Sequence, residues 1–198
     1  MILQTKQLTK DEVDSSILSD PFNTKGARNE RNTPIICYNC GGFALKTFNW
    51  LTPYTDEVDD DNDPYTEVDR EDFIDSLYED GFDDNFVSYE LVFEDTHHIL
   101  KRFPFLEQIE LEDARPEDTI IAYRVFTKWD ESYDCVADTD FHFKVRLNGF
   151  WFEKMGGGEI CLCDLNPDEK QAWIYNDDWA YISPIVYFRD KRADNARS

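Results

Sequence analysis

The residue with the clearest potential for chemistry is Cys40, in the stretch Tyr38-Asn39-Cys40-Gly41-Gly42-Phe43-Ala44-Leu45. Four residues after it, Phe43, Ala44, Thr47 and Phe48, fall at helical spacing. This pattern predicts a helix from about Cys40 to Trp50 that stops before Pro53. A thiol at a helix start lies close to unpaired backbone N–H groups and to the positive end of the helix dipole. Both effects lower the pKa of a thiol and favour the nucleophilic thiolate. Cys40 is therefore the candidate nucleophile.

A thiol nucleophile needs a base, and the base needs an orienting group. Of the three histidines, His142 lies on a predicted strand in which apolar and polar residues alternate. Asn148-Gly149 after it predicts a tight hairpin that returns through Phe150–Lys154. With those two residues as the turn, Lys144 faces Glu153, so Glu153 becomes a diagonal neighbour of His142 on the same side of the sheet. His142 is therefore the candidate base, and Glu153 its orienting group.

Three segments together resemble the papain-like cysteine peptidase superfamily of the NlpC type: Asn39–Leu45, Asp140–Phe143 and Gly149–Gly156. In that family a cysteine at a helix N-terminus is followed by a sheet that carries a histidine and then a third polar residue. The resemblance covers about residues 35–158. It implies a papain-like core in which Cys40 is the nucleophile, His142 the base and Glu153 the orienting residue.

The same resemblance implies a substrate-positioning role at the start of the helix. Tyr38, Asn39 and the backbone N–H of Cys40 are the candidates for holding the oxyanion or the substrate. The implied function is a cysteine hydrolase, a peptidase or amidase, that acts on a peptide or amide through an acyl-enzyme. Such chemistry needs no cofactor and no metal. Transfer of the acyl group to an acceptor other than water uses the same residues and stays open.

Zinc is a competing use of the same thiols. Cys37 and Cys40 have Cys-x-x-Cys spacing, and Cys161 and Cys163 supply two further thiols for a tetrahedral site. Structural zinc pairs usually have at least two residues between the cysteines, whereas the second pair has only Leu162. Because of this mismatch, a zinc site is the less favoured use of these thiols, and catalysis by Cys40 is the more favoured one.

Calcium is a competing interpretation of the acidic loop at residues 56–63. Asp59, Asp61 and Asp63 alternate there as ligands do in an EF-hand. The positions that need glycine and glutamate hold Pro64 and Arg70 instead. We therefore interpret this segment as a solvated loop.

The charge of the chain leads to a second function hypothesis. There are 43 acidic residues against 20 basic ones, which gives a formal net charge of −23. This balance argues against binding a nucleic-acid backbone or an anionic membrane surface, and it suits a basic partner. The second hypothesis is a non-catalytic acidic binding protein that captures such a partner, either as a degenerate peptidase fold or as a mimic of DNA.

The cysteine count bears on the cellular compartment. Five cysteines, an odd number, together with an N-terminus that lacks an apolar secretory core, favour free thiols in the cytoplasm. No apolar run approaches the length of a membrane span.

The expected fold is α+β, with N-terminal helices packed on a mostly antiparallel sheet. Residues 1–33 form a polar arm, residues 34–190 a single domain, and residues 191–198 a polar tail. Beyond the first helix, helical spacing predicts helices over residues 69–78 and 89–103. Strands are predicted over residues 119–127, 141–147, 150–154, 160–163 and 182–188, with Pro184 placing the last at a sheet edge.

Overall fold

The computed structural model describes residues 38–47, 50–53, 67–147, 149–156, 160–176 and 179–192. The predicted arm at 1–33, the acidic loop at 56–63, Cys37 and nearly all of the predicted tail lie outside the described residues. The helices of the described part are α1 (Cys40–Ala44), α2 (Glu67–Glu79) and α3 (Asp84–Arg102). Its strands are β1 (Leu106–Ile109), β2 (Ile120–Asp130), β3 (Cys135–Leu147), β4 (Phe150–Lys154), β5 (Ile160–Leu162), β6 (Ile174–Asn176), β7 (Trp179–Ala180) and β8 (Val186–Asp190).

Six of these strands form one sheet in the order β1-β8-β2-β3-β4-β5, and each neighbouring pair is antiparallel. β6 and β7 make a separate two-stranded sheet. The prediction of an α+β fold with a mostly antiparallel sheet is confirmed. Within the part of the chain described, no helix is both long and apolar enough to cross a membrane.

The β3–β4 hairpin has the predicted register. Leu147 pairs with Phe150 and Lys144 with Glu153. Gly149, in the turn, has a φ of +83, a left-handed conformation that glycine adopts without strain. The turn chemistry therefore sets which side chains share a face of the sheet.

The sheet is buried on both faces. We call the cluster on the helix-bearing face the helix-side core; from β2 and β3 it takes Ile121, Tyr123, Val125, Phe141, Phe143 and Val145. We call the cluster on the other face the outer core; it contains Ile120, Ala122, Phe126, Trp151, Cys163, Trp173, Tyr181 and Tyr187. Odd and even positions of one strand thus face two separate cores, as the pleat requires.

α1 is much shorter than predicted. It ends at Ala44, whereas the helical spacing predicted a helix to Trp50. Leu45 caps it and Lys46 adopts a φ of 57, which ends helical geometry. Two glycines in the first turn give weak intrinsic support to a helix, so tertiary contacts decide where it stops. α2 and α3 confirm the other two predicted helices, and α3 begins five residues earlier than predicted, at an N-cap made by Asp83.

The predicted edge position of the last strand is wrong. β8 starts at Val186, after Pro184, and lies between β1 and β2. The strand that covers it, β1, has only four residues and buries only its first side chain, Leu106. Such a short segment carries no recognisable alternation, so no strand was predicted there.

Asn39 tests how α1 is anchored. Its side chain accepts hydrogen bonds from Gly42 N at 3.1 Å and Leu51 N at 3.2 Å and donates one to Leu51 O at 2.7 Å. Asn39→Ala removes all three, so we expect the free energy of unfolding to fall by about 1–3 kcal/mol in urea titrations. Asn39→Asp keeps the two accepted bonds and should lose less. An unchanged urea midpoint for Asn39→Ala would show that this amide does not anchor the helix.

Candidate functional site

Cys40 is a buried, neutral thiol. It lies at the first position of α1 with 4% of its surface exposed, and it packs in the helix-side core. Its Sγ is 4.0 Å from the carbonyl oxygen of Phe141. Burial raises the pKa of the Cys40 thiol to about 12. The expectation of a lowered pKa is therefore corrected: loss of hydration outweighs the helix start, and α1 offers only five residues.

The stretch around Cys40 is shaped by packing. A Cβ on Gly41 would lie 3.0 Å from Leu51 Cδ2 and 3.3 Å from Phe143 Cε2, so this position needs glycine to let the helix approach. The Asn39 side chain is used as the helix cap and faces backbone groups of Leu51. Tyr38 is fully buried, with the Lys154 ammonium 4.9 Å from its ring centroid. Neither Tyr38 nor Asn39 is exposed to a substrate here.

His142 and Glu153 meet as predicted. His142 Nε2 lies 3.2 Å from Glu153 Oε2. The same carboxylate oxygen accepts from Lys144 Nζ at 2.5 Å and from the Tyr175 hydroxyl at 2.6 Å. We call these four residues the outer-face polar cluster. The hairpin register supplies its first three members, because it places Lys144 opposite Glu153.

The electrostatics of this cluster fix its protonation state. Burial opposes ionisation of Glu153, but the hydrogen bond from His142 and the charge of Lys144 outweigh it and lower its pKa to about 2. Burial lowers the pKa of His142 more than Glu153 raises it. At neutral pH the carboxylate is therefore charged and the imidazole neutral. Lys144 Nζ also lies 5.0 Å from the ring of Trp173 and 5.5 Å from that of Tyr175.

Cys40 and the outer-face polar cluster lie on opposite faces of the sheet. Cys40 packs in the helix-side core with Phe141 and Phe143, the two neighbours of His142 along β3. His142 points the other way, toward the rings of Trp173 and Tyr181 in the outer core. Because consecutive strand side chains alternate, the sheet itself separates the thiol from the imidazole. The triad of Cys40, His142 and Glu153 stays a prediction, and the opposite faces on which Cys40 and His142 lie argue against it.

Another thiol, Cys163, does approach the cluster. Its Sγ lies 3.9 Å from Lys144 Nζ. Burial raises its pKa to about 12, more than the lysine charge lowers it. Because this thiol is also buried and protonated, it does not supply a nucleophile to the cluster. Cys163 packs in the outer core instead. Sequence reasoning missed Tyr175, which reaches Glu153 from a separate two-stranded sheet and carries no local signal of that contact.

The predicted zinc ligands are also divided. Cys40 packs in the helix-side core and Cys163 in the outer core, so a single ion cannot reach both. Cys37 lies outside the described residues. Among the residues that are described, no three His, Cys, Asp or Glu side chains converge to hold a metal ion.

A cleft of about 380 Å³ lies between α2 and the start of β3. We call it the acidic cleft; its lining residues are Glu71, Ile74, Asp75, Cys135, Val136, Ala137, Asp138 and Thr139. Burial and the charge of Asp140 raise the pKa of Asp138. Arg70, the nearest cation along α2, donates to Thr139 at 3.0 Å and pairs with Asp95 at 3.3 Å. The cleft therefore presents three carboxylates, of which Asp138 has Lys128 as its cross-strand partner. No spacing in the sequence predicts that Asp138 lies near Glu71 and Asp75, because more than 60 residues separate them.

Comparisons with known proteins do not place this chain. No protein-family model matches it, and no significant match arises from the curated proteins or the solved structures. The resemblance to the NlpC-type peptidases therefore stays a prediction.

Alkylation rates test the state of Cys40. Iodoacetamide at neutral pH should modify the exposed Cys135 and Cys161 first. Cys40 should react at least about a hundredfold more slowly than these two, because its thiol is buried and protonated. His142→Ala should leave the Cys40 rate unchanged. Protein unfolded in urea serves as the control, in which all sites react alike. Fast modification of Cys40 that slows in His142→Ala would instead support the catalytic pair.

Acid titration tests the outer-face polar cluster. The pKa of His142 is lowered on folding. As the pH falls below 6.5, the ordinary pKa of histidine, the unfolded chain binds a proton that the folded protein does not, so the folded state loses stability. The free-energy advantage of wild type over His142→Gln, measured by urea unfolding, should therefore shrink between pH 7 and pH 5. The slope for one proton is at most about 1.4 kcal/mol per pH unit.

A constant difference across that range would show that His142 is not buried as a neutral group. A second loss of stability is expected as the pH falls from 4.5 to about 2. In this range the unfolded chain binds a proton at Glu153, whereas the folded protein keeps the carboxylate charged down to a pKa of about 2. Glu153→Gln should abolish the part of that loss that belongs to this carboxylate.

Proposed function

We propose that this protein is a non-catalytic binding protein that captures a cationic partner at the acidic cleft. The framework is a degenerate papain-like one. In support, α1 carries Cys40, and the following sheet carries His142 and Glu153, in the order that the NlpC-type family has. What the arrangement lacks is contact between thiol and imidazole. A cytoplasmic location stays a prediction.

The observation that carries this proposal is the position of Arg70, the single lysine or arginine within residues 67–100. Residues 67–100 contain twelve acidic side chains against this one arginine. Arg70 is only 2% exposed and is bound to Asp95 and Thr139. The solvent side of this segment is therefore negative, without a lysine or arginine of its own to neutralise it.

The acidic cleft is where that charge meets a concave surface. Glu71 and Asp75 approach from α2, and Asp138 approaches from β3. The raised pKa of Asp138 shows that burial and a neighbouring negative charge already oppose its ionisation. A lysine or arginine side chain entering the cleft would relieve that repulsion, and its attraction would fall as salt increases. Such electrostatic complementarity gives selectivity for cationic partners and fast association.

Direct binding of a lysine-rich peptide tests this proposal. Wild type should bind it in a calorimetric titration at low ionic strength and lose affinity as salt is added. The triple variant Glu71→Gln, Asp75→Asn, Asp138→Asn should bind at least about tenfold more weakly, since it removes three charges from the cleft. Cys40→Ala should bind like wild type and should show, like wild type, no turnover of amide substrates.

A matched control separates the cleft from the overall charge. Glu110→Gln, Glu112→Gln, Glu117→Gln also removes three exposed acids. These three residues precede β2, which starts at Ile120. Asp138 pairs with Lys128, eight residues further along β2, so about 26 Å of strand separates Ile120 from the level of Asp138. Equal losses in the two triple variants would contradict a specific site and leave only a general charge effect.

A further inference from the structure

α3 carries apolar residues on two sides. One side packs on β2 through Val87, Leu91, Val92 and Ile99, which are buried in the helix-side core. The other side faces solvent. Phe86, Tyr89 and Phe93 follow one another at spacings of three and four, which keeps them on one side of the helix axis, and Phe82, just before the helix, stacks on Phe86. Packing within the described fold does not explain why apolar residues occupy this second side.

We call these residues the aromatic band; its members are Phe82, Phe86, Tyr89 and Phe93. The exposed fractions of Phe82, Tyr89 and Phe93 are 40%, 43% and 54%. The rings pair with one another: Phe82 stacks on Phe86 with centroids 3.8 Å apart, and Tyr89 meets Phe93 at 5.0 Å. Large side chains grouped in this way and left in water mark an interaction surface more often than isolated ones do.

An acidic band runs beside the aromatic band. Glu90 and Glu94 fall next to the aromatic residues on one flank of the helix, as their helical positions require, and Asp83 adds a third carboxylate at the N-cap, where it accepts a hydrogen bond from Phe86 N. The first lysine or arginine of α3 is Lys101, in its last turn, and His97 and His98 precede it. From Phe86 to Phe93 the two bands run in parallel for about 10 Å.

We propose that the paired bands of α3 are a docking surface for a cationic amphipathic peptide segment. Apolar side chains of the segment cover the aromatic band, and its lysine or arginine side chains meet Asp83, Glu90 and Glu94. Arginine also stacks favourably on exposed tyrosine and phenylalanine rings. This inference deepens the proposed capture of a cationic partner and rests on it. It adds a second class of contact, since the acidic cleft selects for charge alone whereas these bands also select for apolar residues.

Charge decides against a second copy of this chain as the occupant. Two copies that met through this surface would bring their acidic bands together, in a protein with a net charge of −23. Like charges held at an interface cost several kcal/mol. A cationic segment meets the same surface with the opposite sign.

Two peptides separate this inference from the proposed function. One contains lysine as its only charged residue type and no apolar residues; the other is an amphipathic leucine–lysine peptide of the same charge and length. Wild type should bind the amphipathic peptide more tightly. Tyr89→Gln with Phe93→Gln, which keeps helix propensity, should weaken the amphipathic peptide roughly tenfold and leave the lysine peptide unchanged. Met155→Gln with Ile174→Gln, which changes two exposed apolar residues elsewhere, should change neither affinity.

Each outcome decides one proposal. If the amphipathic peptide binds no more tightly than the lysine peptide, or if Tyr89→Gln with Phe93→Gln has no effect on it, the docking surface is overturned. If the lysine peptide does not bind wild type while the amphipathic peptide does, the acidic cleft is overturned and the bands stand. Circular dichroism and urea midpoints matched to wild type exclude unfolding as the cause of any loss.

Photocrosslinking identifies the occupant in the full chain. A benzoylphenylalanine placed at Phe93 should capture the added amphipathic peptide, whereas the same group placed at Ile174 should not. Capture of a second copy of the chain, or of residues 1–37 of the same chain in preference to the peptide, would overturn the proposed occupant.

Discussion

The pleat of β3 is the constraint on which this structure depends. Both faces of the sheet are buried around residues 141–145, so each of these residues of the central strand has to suit either the helix-side core or the outer core. His142 and Lys144 are assigned to one face, and Phe141 and Phe143 to the other. That assignment brings His142 to Glu153 and takes it away from Cys40. A shift of register by one residue would reverse both relations and would place two polar side chains, His142 and Lys144, against α1.

Sequence reasoning reached the local features of this fold and missed those that depend on tertiary contacts. The hairpin turn fixed the pairing of Lys144 with Glu153, and the apolar spacing located α2 and α3. It could not show that α1 would end at Ala44, because packing against Leu51 and Phe143 decides that. Nor could it show that burial would raise the pKa of Cys40, since a helix start and a buried core look alike in a short motif. Tyr175 joins Glu153 from a distant hairpin for which no spacing rule exists.

The account that results places binding where charge is uncompensated and stability where charge is paired. In the outer core, Lys144 and Glu153 neutralise each other among aromatic rings, which is a costly arrangement to break because either partner would be left buried and alone. The one lysine or arginine of α2, Arg70, is turned inward to Asp95. The carboxylates of the acidic cleft are therefore left to face an external partner. The resemblance to a peptidase stays a prediction about the framework, while the acidic surface carries the proposed use.

The most direct test of this account is a residue-by-residue map of binding by nuclear magnetic resonance. Backbone amide shifts are followed in wild type while the lysine-rich peptide is added. The account predicts that the largest changes fall on α2 around Glu71 and Asp75 and on residues 135–139 of β3, with Cys40 and His142 unaffected. Changes centred on Cys40 and His142, with the cleft silent, would contradict it.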